Sequence, residues 1–320
     1  MKYPKEYLDE IKTRLKVSTV VSKSVNLKKR GKEFVGLSPF KTEKTPSFTV
    51  NDEKGFYHCF STAEHGNIFD FIMKTQNLKF GEAVKFLANL AGMQPYTFSK
   101  QDVEREKNWT IYKSIYSLYV DFYHNELFKN PLAKSAKDYL KKRGLTVDEV
   151  KKFKIGFVTK DTDIYQVLLK EFEENKLKES GLFYFDENKK KFVERFRDRI
   201  IFPINNISGD PIGFGGRIMD EKNYLAKYIN SPETPFFKKG SNLFNLDKAR
   251  KLSNEMDHIF LVEGYTDVVG LSKNGIENVV ANLGTSLTDK QILILNQFFD
   301  DIIICFDGDE SGYKAALRAA

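Results

Sequence analysis

Cysteine is nearly absent from this 320-residue sequence: only Cys59 and Cys305 occur, far apart in the chain. A disulfide-held fold is thereby excluded, and a chain of this length buries enough surface for two or three domains without such staples. Long apolar runs are missing too. Nothing approaches the roughly 18 consecutive apolar residues that a membrane helix needs, and the Lys-rich first stretch holds no secretory leader. These absences predict a cytoplasmic protein with no membrane partner. No internal repeat or low-complexity tract is present. Charge of one sign does not dominate either: 51 basic against 44 acidic residues give +7 at neutral pH. Such a surplus suits a polyanionic partner and an ordinary solvated surface equally.

What is present comes in blocks. Over residues 1–97, Phe34, Phe40, Phe48, Phe56, Tyr57 and Phe60 alternate with polar residues and turn formers, the pattern of short antiparallel strands, and helical spacing follows over Ile68–Ala91. Residues 98–108 are polar without apolar periodicity and are expected to link this module to a helix starting near Trp109. Amphipathic spacing over Ile111–Phe128 leads into Ala133–Arg143, closed by Gly144. From Ile155 the pattern turns to strands, with a hairpin around Ile207-Ser208-Gly209-Asp210. After Asp257, apolar strands alternate with helical runs (IFLVEG, TDVVGLSKNG, ENVVANLG, TDKQILILNQFF, DIIICFDGD), which predicts a parallel sheet.

The acids of that last block carry the chemistry. Glu263 closes IFLVEG, and Asp307 and Asp309 close IIICFDGD. Ligands gather at the carboxyl ends of parallel strands. Three close anions repel unless a cation sits between them, and hard oxygen donors favour Mg²⁺. Asp267, one helical turn beyond Glu263, is a further or outer ligand. Helix capping explains any one of these acids alone, Asp309 before Glu310-Ser311-Gly312 above all, but their combination points to a metal. Gly264 and Gly308 let a phosphate or metal approach the backbone. Cys305, on the same strand, reads as a small buried filler.

VEGYTD followed by FDGDESG resembles the TOPRIM domain of primases and topoisomerases. Ahead of it, RFRDRIIFPI, GFGGR, KYINSPET and FFKKG resemble the catalytic-core motifs of bacterial replicative DNA primases, a block that generic TOPRIM proteins lack. The resemblance implies synthesis of short RNA primers on a single-stranded DNA template from ribonucleoside triphosphates. Glu263, Asp307 and Asp309 are then the catalytic acids, holding Mg²⁺ with Mn²⁺ as a substitute. It further makes Arg143 (in LKKRGLT), Arg197, Arg217, Lys227, Tyr228, Asn230 and Lys239 the groups that grip template or nucleotide. Arg offers a fork for phosphate oxygens, Lys a mobile charge and Tyr a stacking face. Arg195 and Arg199 read equally as the exposed edge of an amphipathic strand. The run Gly213, Gly215, Gly216 is explained as well by a turn or bulge as by phosphate binding.

The first module, GLSPFKTEKTPSFTV then FYHCFSTAEHGNIFDFI, resembles the zinc-binding domain of the same family. The family pattern has Cys, His, Cys and Cys at positions 38, 41, 59 and 62; here stand Ser38, Lys41, Cys59 and Thr62. One thiolate cannot complete a four-coordinate site, and Lys41 puts a cation where Zn²⁺ belongs. His58 and His65 lie outside the ligand set. No zinc is expected, so packing of the aromatic strands under Phe69, Phe71, Phe86 and Leu90 must take over its role. Lys41, Lys44, Ser47 and His58 are left as a template-contacting face.

The expected fold is therefore multidomain, α+β and α/β. A zinc-ribbon-like module spans 1–97, a linker 98–108, the N-terminal subdomain of a primase polymerase core 109–256, and a TOPRIM subdomain with a Rossmann-like parallel sheet 257–320. The TOPRIM part looks truncated, and the resemblance implies a helicase-binding domain in a longer parent. Two other classes stay open: a strand-breaking TOPRIM enzyme, which needs a Tyr nucleophile in a separate domain, and a non-catalytic single-strand-binding fragment.

Overall fold

The computed structural model describes residues 3–219, 225–253, 255–284 and 287–319. The chain divides into two compact units, residues 1–106 and 107–320.

In the first unit, α1 (Lys5–Arg14) and α2 (Val17–Val21) precede five antiparallel strands paired in sequence order: β1 (Lys28–Arg30), β2 (Glu33–Gly36), β3 (Phe48–Asn51), β4 (Phe56–Cys59) and β5 (His65–Gly66). Helices α3 (Ile68–Gln76) and α4 (Phe80–Leu90) follow. Asn67 and Asp70 start α3 as a capping box, and Asn77 ends it in the left-handed region. Strand alternation then decides the core: Phe48, Val50, Tyr57 and Cys59 point inward with Phe71 and Phe69, while Phe86 and Leu90 close its margin. The Phe48 and Tyr57 rings stack at 5.3 Å, and Phe71 stands edge-on to Tyr57 at 5.6 Å.

No structureless linker precedes Trp109. Ser99 Oγ accepts from the Asp102 amide and Asp102 accepts from the Ser99 amide, so α5 (Lys100–Lys129) starts nine residues before the expected place. Its first turns are largely exposed; a helix with no core to face shows no apolar stripe, which is why that segment reads as linker. From Tyr112 onward the stripe appears, and Tyr112, Tyr116, Tyr119, Tyr123 and Leu127 are buried at helical spacing.

After α6 (Lys134–Lys142) and α7 (Val147–Lys152) come β6 (Gly156–Val158), α8 (Ile164–Leu168), α9 (Glu174–Glu179) and the hairpin β7 (Phe183–Asp186) with β8 (Lys191–Glu194). Strands β9 (Arg199–Asn205), β10 (Pro211–Ile218) and β11 (Tyr228–Asn230) join β6 in an antiparallel sheet of order β11-β10-β9-β6. The expected hairpin is β9–β10. Both faces of this sheet are covered: α5 aromatics pack on one, and the apolar residues of α6, α7 and the last third of the chain on the other. Arg199 therefore cannot be an exposed edge. It is buried and donates to the Gly216 and Lys227 carbonyls, both at 3.3 Å.

The final block holds α10 (Leu246–Ala249), β12 (His258–Val262), α11 (Tyr265–Lys273), β13 (Val279–Ala281), α12 (Asp289–Leu295), β14 (Asp301–Ile304) and α13 (Glu310–Ala319). As expected, its sheet is parallel, with β12 between β13 and β14. Cys305 departs from expectation. It is exposed, because it follows an edge strand whose residues are only partly covered.

A basic cleft at the acidic strand ends

Because β12 and β14 are parallel neighbours, their carboxyl ends deliver Glu263 and Asp307 to one place. Glu263 Oε1 accepts from the Asp307 amide at 3.0 Å. Asp267 sits in the first turn of α11 and accepts from the Gly264 amide at 2.9 Å, capping the helix. Its carboxyl is pushed above the ordinary carboxylate range, first by partial burial and then by the negative charges of Asp307 and Glu263, against the pull of the Gly264 amide and Arg143.

These acids share a cleft of about 780 Å³ with basic residues. Arg143, Lys227, Tyr228, Asn230 and Lys239 line it together with Glu263, Asp267 and Asp307. Eight of the expected site residues thus converge. Three others do not line it. Asp309 lies on the loop before α13 and accepts from the Gly312 amide at 2.7 Å, the capping role weighed for it. Arg197 donates to the Lys160 carbonyl. Arg217 is buried under the wall, donating to the Ile218 carbonyl at 3.0 Å and stacking on Tyr139. Arg195, which also read as strand edge, lines the cleft instead, its Nε held by the Gly181 carbonyl at 2.9 Å.

Tyr265, Asn282, Thr266 and Gly284 also line the cleft and were not singled out from the sequence. Tyr265 is a buried brace: it stacks on Phe202 at 5.4 Å, meets Phe244 edge-on, and donates to Asn230 Oδ1. The Asn230 amide group donates in turn to the Leu283 carbonyl at 2.7 Å. Both ends of the Asn230 side chain are thus engaged by protein. Gly215 on β10 makes the arrangement possible, because a Cβ there would lie 2.3 Å from the Tyr265 ring.

Three family profiles match in sequence order: a CHC2 zinc finger over residues 3–103, the N-terminal domain of a DNA primase catalytic core over 122–250, and a Toprim domain over 257–320. A DNA primase of Neisseria meningitidis is 39% identical over 99% of this chain and 53% of its own length. The crystal structure of the zinc-binding and RNA polymerase domains of the Aquifex aeolicus primase matches at TM-score 0.59 and 32% identity, covering 97% of this chain and 74% of that one. The chain belongs to the bacterial DNA primase family. It spans about half the length of the curated primases it matches. A primase catalytic domain solved with bound single-stranded DNA matches at TM-score 0.60 and 36% identity, over 67% of this chain and 66% of that one.

Primases with a Toprim domain imply a divalent metal, and the donors here suit one in kind. Glu263, Asp267 and Asp307 offer hard oxygens, and the upward push on Asp267 comes first from its partial burial and then from the neighbouring charges of Asp307 and Glu263. Among the described residues no three ligating side chains are drawn into a ready coordination sphere.

The zinc implied by the ribbon family does not fit. Cys59 Sγ donates to Ser38 Oγ at 3.2 Å and lies 3.4 Å from Ser61 Oγ. Ser61 Oγ lies 2.8 Å from Ser47 Oγ, and Glu43 accepts from the Ser47 hydroxyl and the Ser38 amide, each at 2.8 Å. Hydroxyls and one carboxylate close the loop where thiolates would grip a metal. Burial raises the Cys59 thiol, but hydrogen bonding with Ser38, Ser61 and Thr62 outweighs it and brings the thiol to about 7. Lys41 is exposed.

Proposed function

We propose that this chain is the template- and nucleotide-handling portion of a DNA primase, a DNA-directed RNA polymerase that lays short RNA primers on single-stranded DNA. The observation that carries this reading is one cleft lined together by Glu263, Asp267 and Asp307 and by Arg143, Lys227, Lys239 and Tyr228. In this reading Glu263, Asp307 and Asp267 hold Mg²⁺, or Mn²⁺ in its place, with Asp309 as a further ligand from the adjoining loop. The cation would offset charge gathering on the triphosphate as pyrophosphate departs. The chain's own residues do the rest. Arg143, Lys227 and Lys239 meet phosphate oxygens, and Tyr228, 40% exposed, offers its ring to a base. Arg217 acts from outside the cleft lining as the cross-strand partner of Tyr228, Arg197 is a template contact away from the cleft, and Asn230 holds the loop after β13 in place.

The ribbon supplies a second contact for template. Cross-strand register lines up Lys28, Val35, Thr49, His58 and His65 in one row. Phe60 stands 70% exposed with its ring 4.4 Å from that of His58. An open sheet face with aromatic rings and exposed Lys28, Lys41 and Lys44 at its margins suits unstacked bases and phosphates. This face works without zinc. Among the described residues no helix is long and apolar enough to cross a membrane. A cytoplasmic location and recruitment by a replicative helicase belong to this proposed reading as well.

The test is primer synthesis by the full-length protein on single-stranded template, with labelled ribonucleoside triphosphates and Mg²⁺ or Mn²⁺. Short template-dependent RNA is expected. Nicking of the DNA would favour a strand-breaking enzyme, and binding without product a non-catalytic module.

A further inference from the structure

Two arginines of the proposed primase site share one aromatic ring. Tyr139 and Arg143 are four residues apart at the end of α6, so helix geometry puts both side chains on one face. Arg217 on β10 is the direct cross-strand partner of Tyr228 on β11, so these two side chains emerge together on one face of the sheet. The two pairs meet at Tyr139. The Arg217 guanidinium lies 3.8 Å from the centre of its ring and that of Arg143 lies 5.5 Å from it. Arg217 is 2% exposed, and Arg143 stands exposed at the cleft rim.

A buried guanidinium has lost much of its hydration, and an aromatic face is among the few apolar surfaces that attract it. The ring stays neutral at working pH: burial and then the nearby Tyr228 raise its hydroxyl above the ordinary phenol range, against the opposing pull of Arg217 and Arg143. The useful part of the side chain is therefore its π-face.

We infer that Tyr139 is a positioning residue: its ring sets the two guanidiniums, one on the sheet face beside Tyr228 and one at the rim, so that the basic wall of the cleft keeps its shape as polyanion binds. This rests on the primase reading of the cleft and adds to it a residue that lies outside the cleft lining. It touches neither template nor nucleotide. It acts through Arg143 and Arg217.

The experiment compares Tyr139→Phe and Tyr139→Leu in the full-length protein. Binding of an oligodeoxythymidylate is followed across a salt series, with KM for ribonucleoside triphosphate measured alongside. Tyr139→Phe keeps the ring and should match the parent. Tyr139→Leu should bind the oligonucleotide about tenfold more weakly. Its plot of log affinity against log salt should flatten by about 0.7, the signature of one phosphate that is no longer neutralised, and KM should rise more than kcat falls. A thermal melt run in parallel identifies a variant that has merely unfolded. In that case Tyr139→Trp, which keeps a π-face, must restore both affinity and salt slope, and failure to restore them overturns the inference. A folded Tyr139→Leu with parental affinity and slope also overturns it. If the parent protein itself neither binds nor primes, the primase reading fails instead.

Discussion

Glu263 Oε1 accepts the Asp307 amide at 3.0 Å, so the loops leaving two adjacent parallel strands are tied by one of the acids they present. Gly312, in the first turn of α13, lets the helix approach them; a Cβ there would sit 2.9 Å from Glu263 Oε1 and 2.2 Å from the Asp307 carbonyl oxygen. The carboxylate thus has a structural use that is separable from its charge.

Substitution separates the two. Glu263→Gln keeps an acceptor for Asp307 and should melt within about 2 °C of the parent, while primer yield falls at least about a hundredfold. Glu263→Ala should lose the same activity and melt about 2–4 °C lower, because the loop tie is gone. Equal activity loss with unequal melting is the expected pair of results, read by gel assay and calorimetry.

Gly215→Ala should destabilise the second unit by about 1–3 kcal/mol, because the new methyl meets the Tyr265 ring at 2.3 Å. The Tyr265 ring is packed against Phe202 and Phe244 and cannot retreat freely. A urea unfolding curve measures this, and an unchanged midpoint would contradict the packing described.

Buried Glu194 predicts a pH dependence of stability. Burial raises its carboxyl to about 7 from the ordinary 4.5, although Tyr123, the Ile164 amide and Tyr119 hydrogen-bond it. Between those values the folded state holds more protons than the unfolded chain, so stability is complete below about 4.5 and falls as pH rises through about 7. The expected loss is on the order of 3 kcal/mol. Glu194→Gln should remove that slope, which unfolding curves at pH 5, 6, 7 and 8 would reveal; a slope that persists in the variant refutes the assignment.

The ribbon should retain its fold without metal. After dialysis against a mild chelator, elemental analysis should find far less than one zinc per chain and an unchanged circular dichroism spectrum. A domain that owed about 10–16 kcal/mol to zinc would unfold under that treatment. Cys59→Ala should lower stability only by about 1–2 kcal/mol, the effect of a small buried side chain. Equimolar zinc surviving dialysis would show that Ser38, Lys41, Cys59 and Thr62 do not describe the site.

Much of this was legible in the residues. The parallel sheet, the β9–β10 hairpin and the aromatic ribbon strands follow from period and turn chemistry, and the acids follow from their place at strand ends. The start of α5 was hidden because its exposed turns carry no stripe, although Ser99 and Asp102 signal the cap. Arg199 and Cys305 differ from the pattern for opposite reasons: a charged residue that reads equally well as a strand edge is buried in a two-sided sheet, while a small apolar one that reads as buried lies beyond an edge strand. Tyr139 had a signal, its four-residue spacing from Arg143, but the ring's second arginine comes from a strand far along the chain. The loop at Asn282 and Gly284 had only its position after β13.

The most direct test is Asp307→Asn combined with Asp309→Asn in the full-length protein, assayed for labelled RNA on single-stranded template at saturating Mg²⁺. Oligonucleotide binding should remain near the parental value, because the basic wall is intact, while RNA output drops to background. Parental RNA output from the folded double variant would contradict the account.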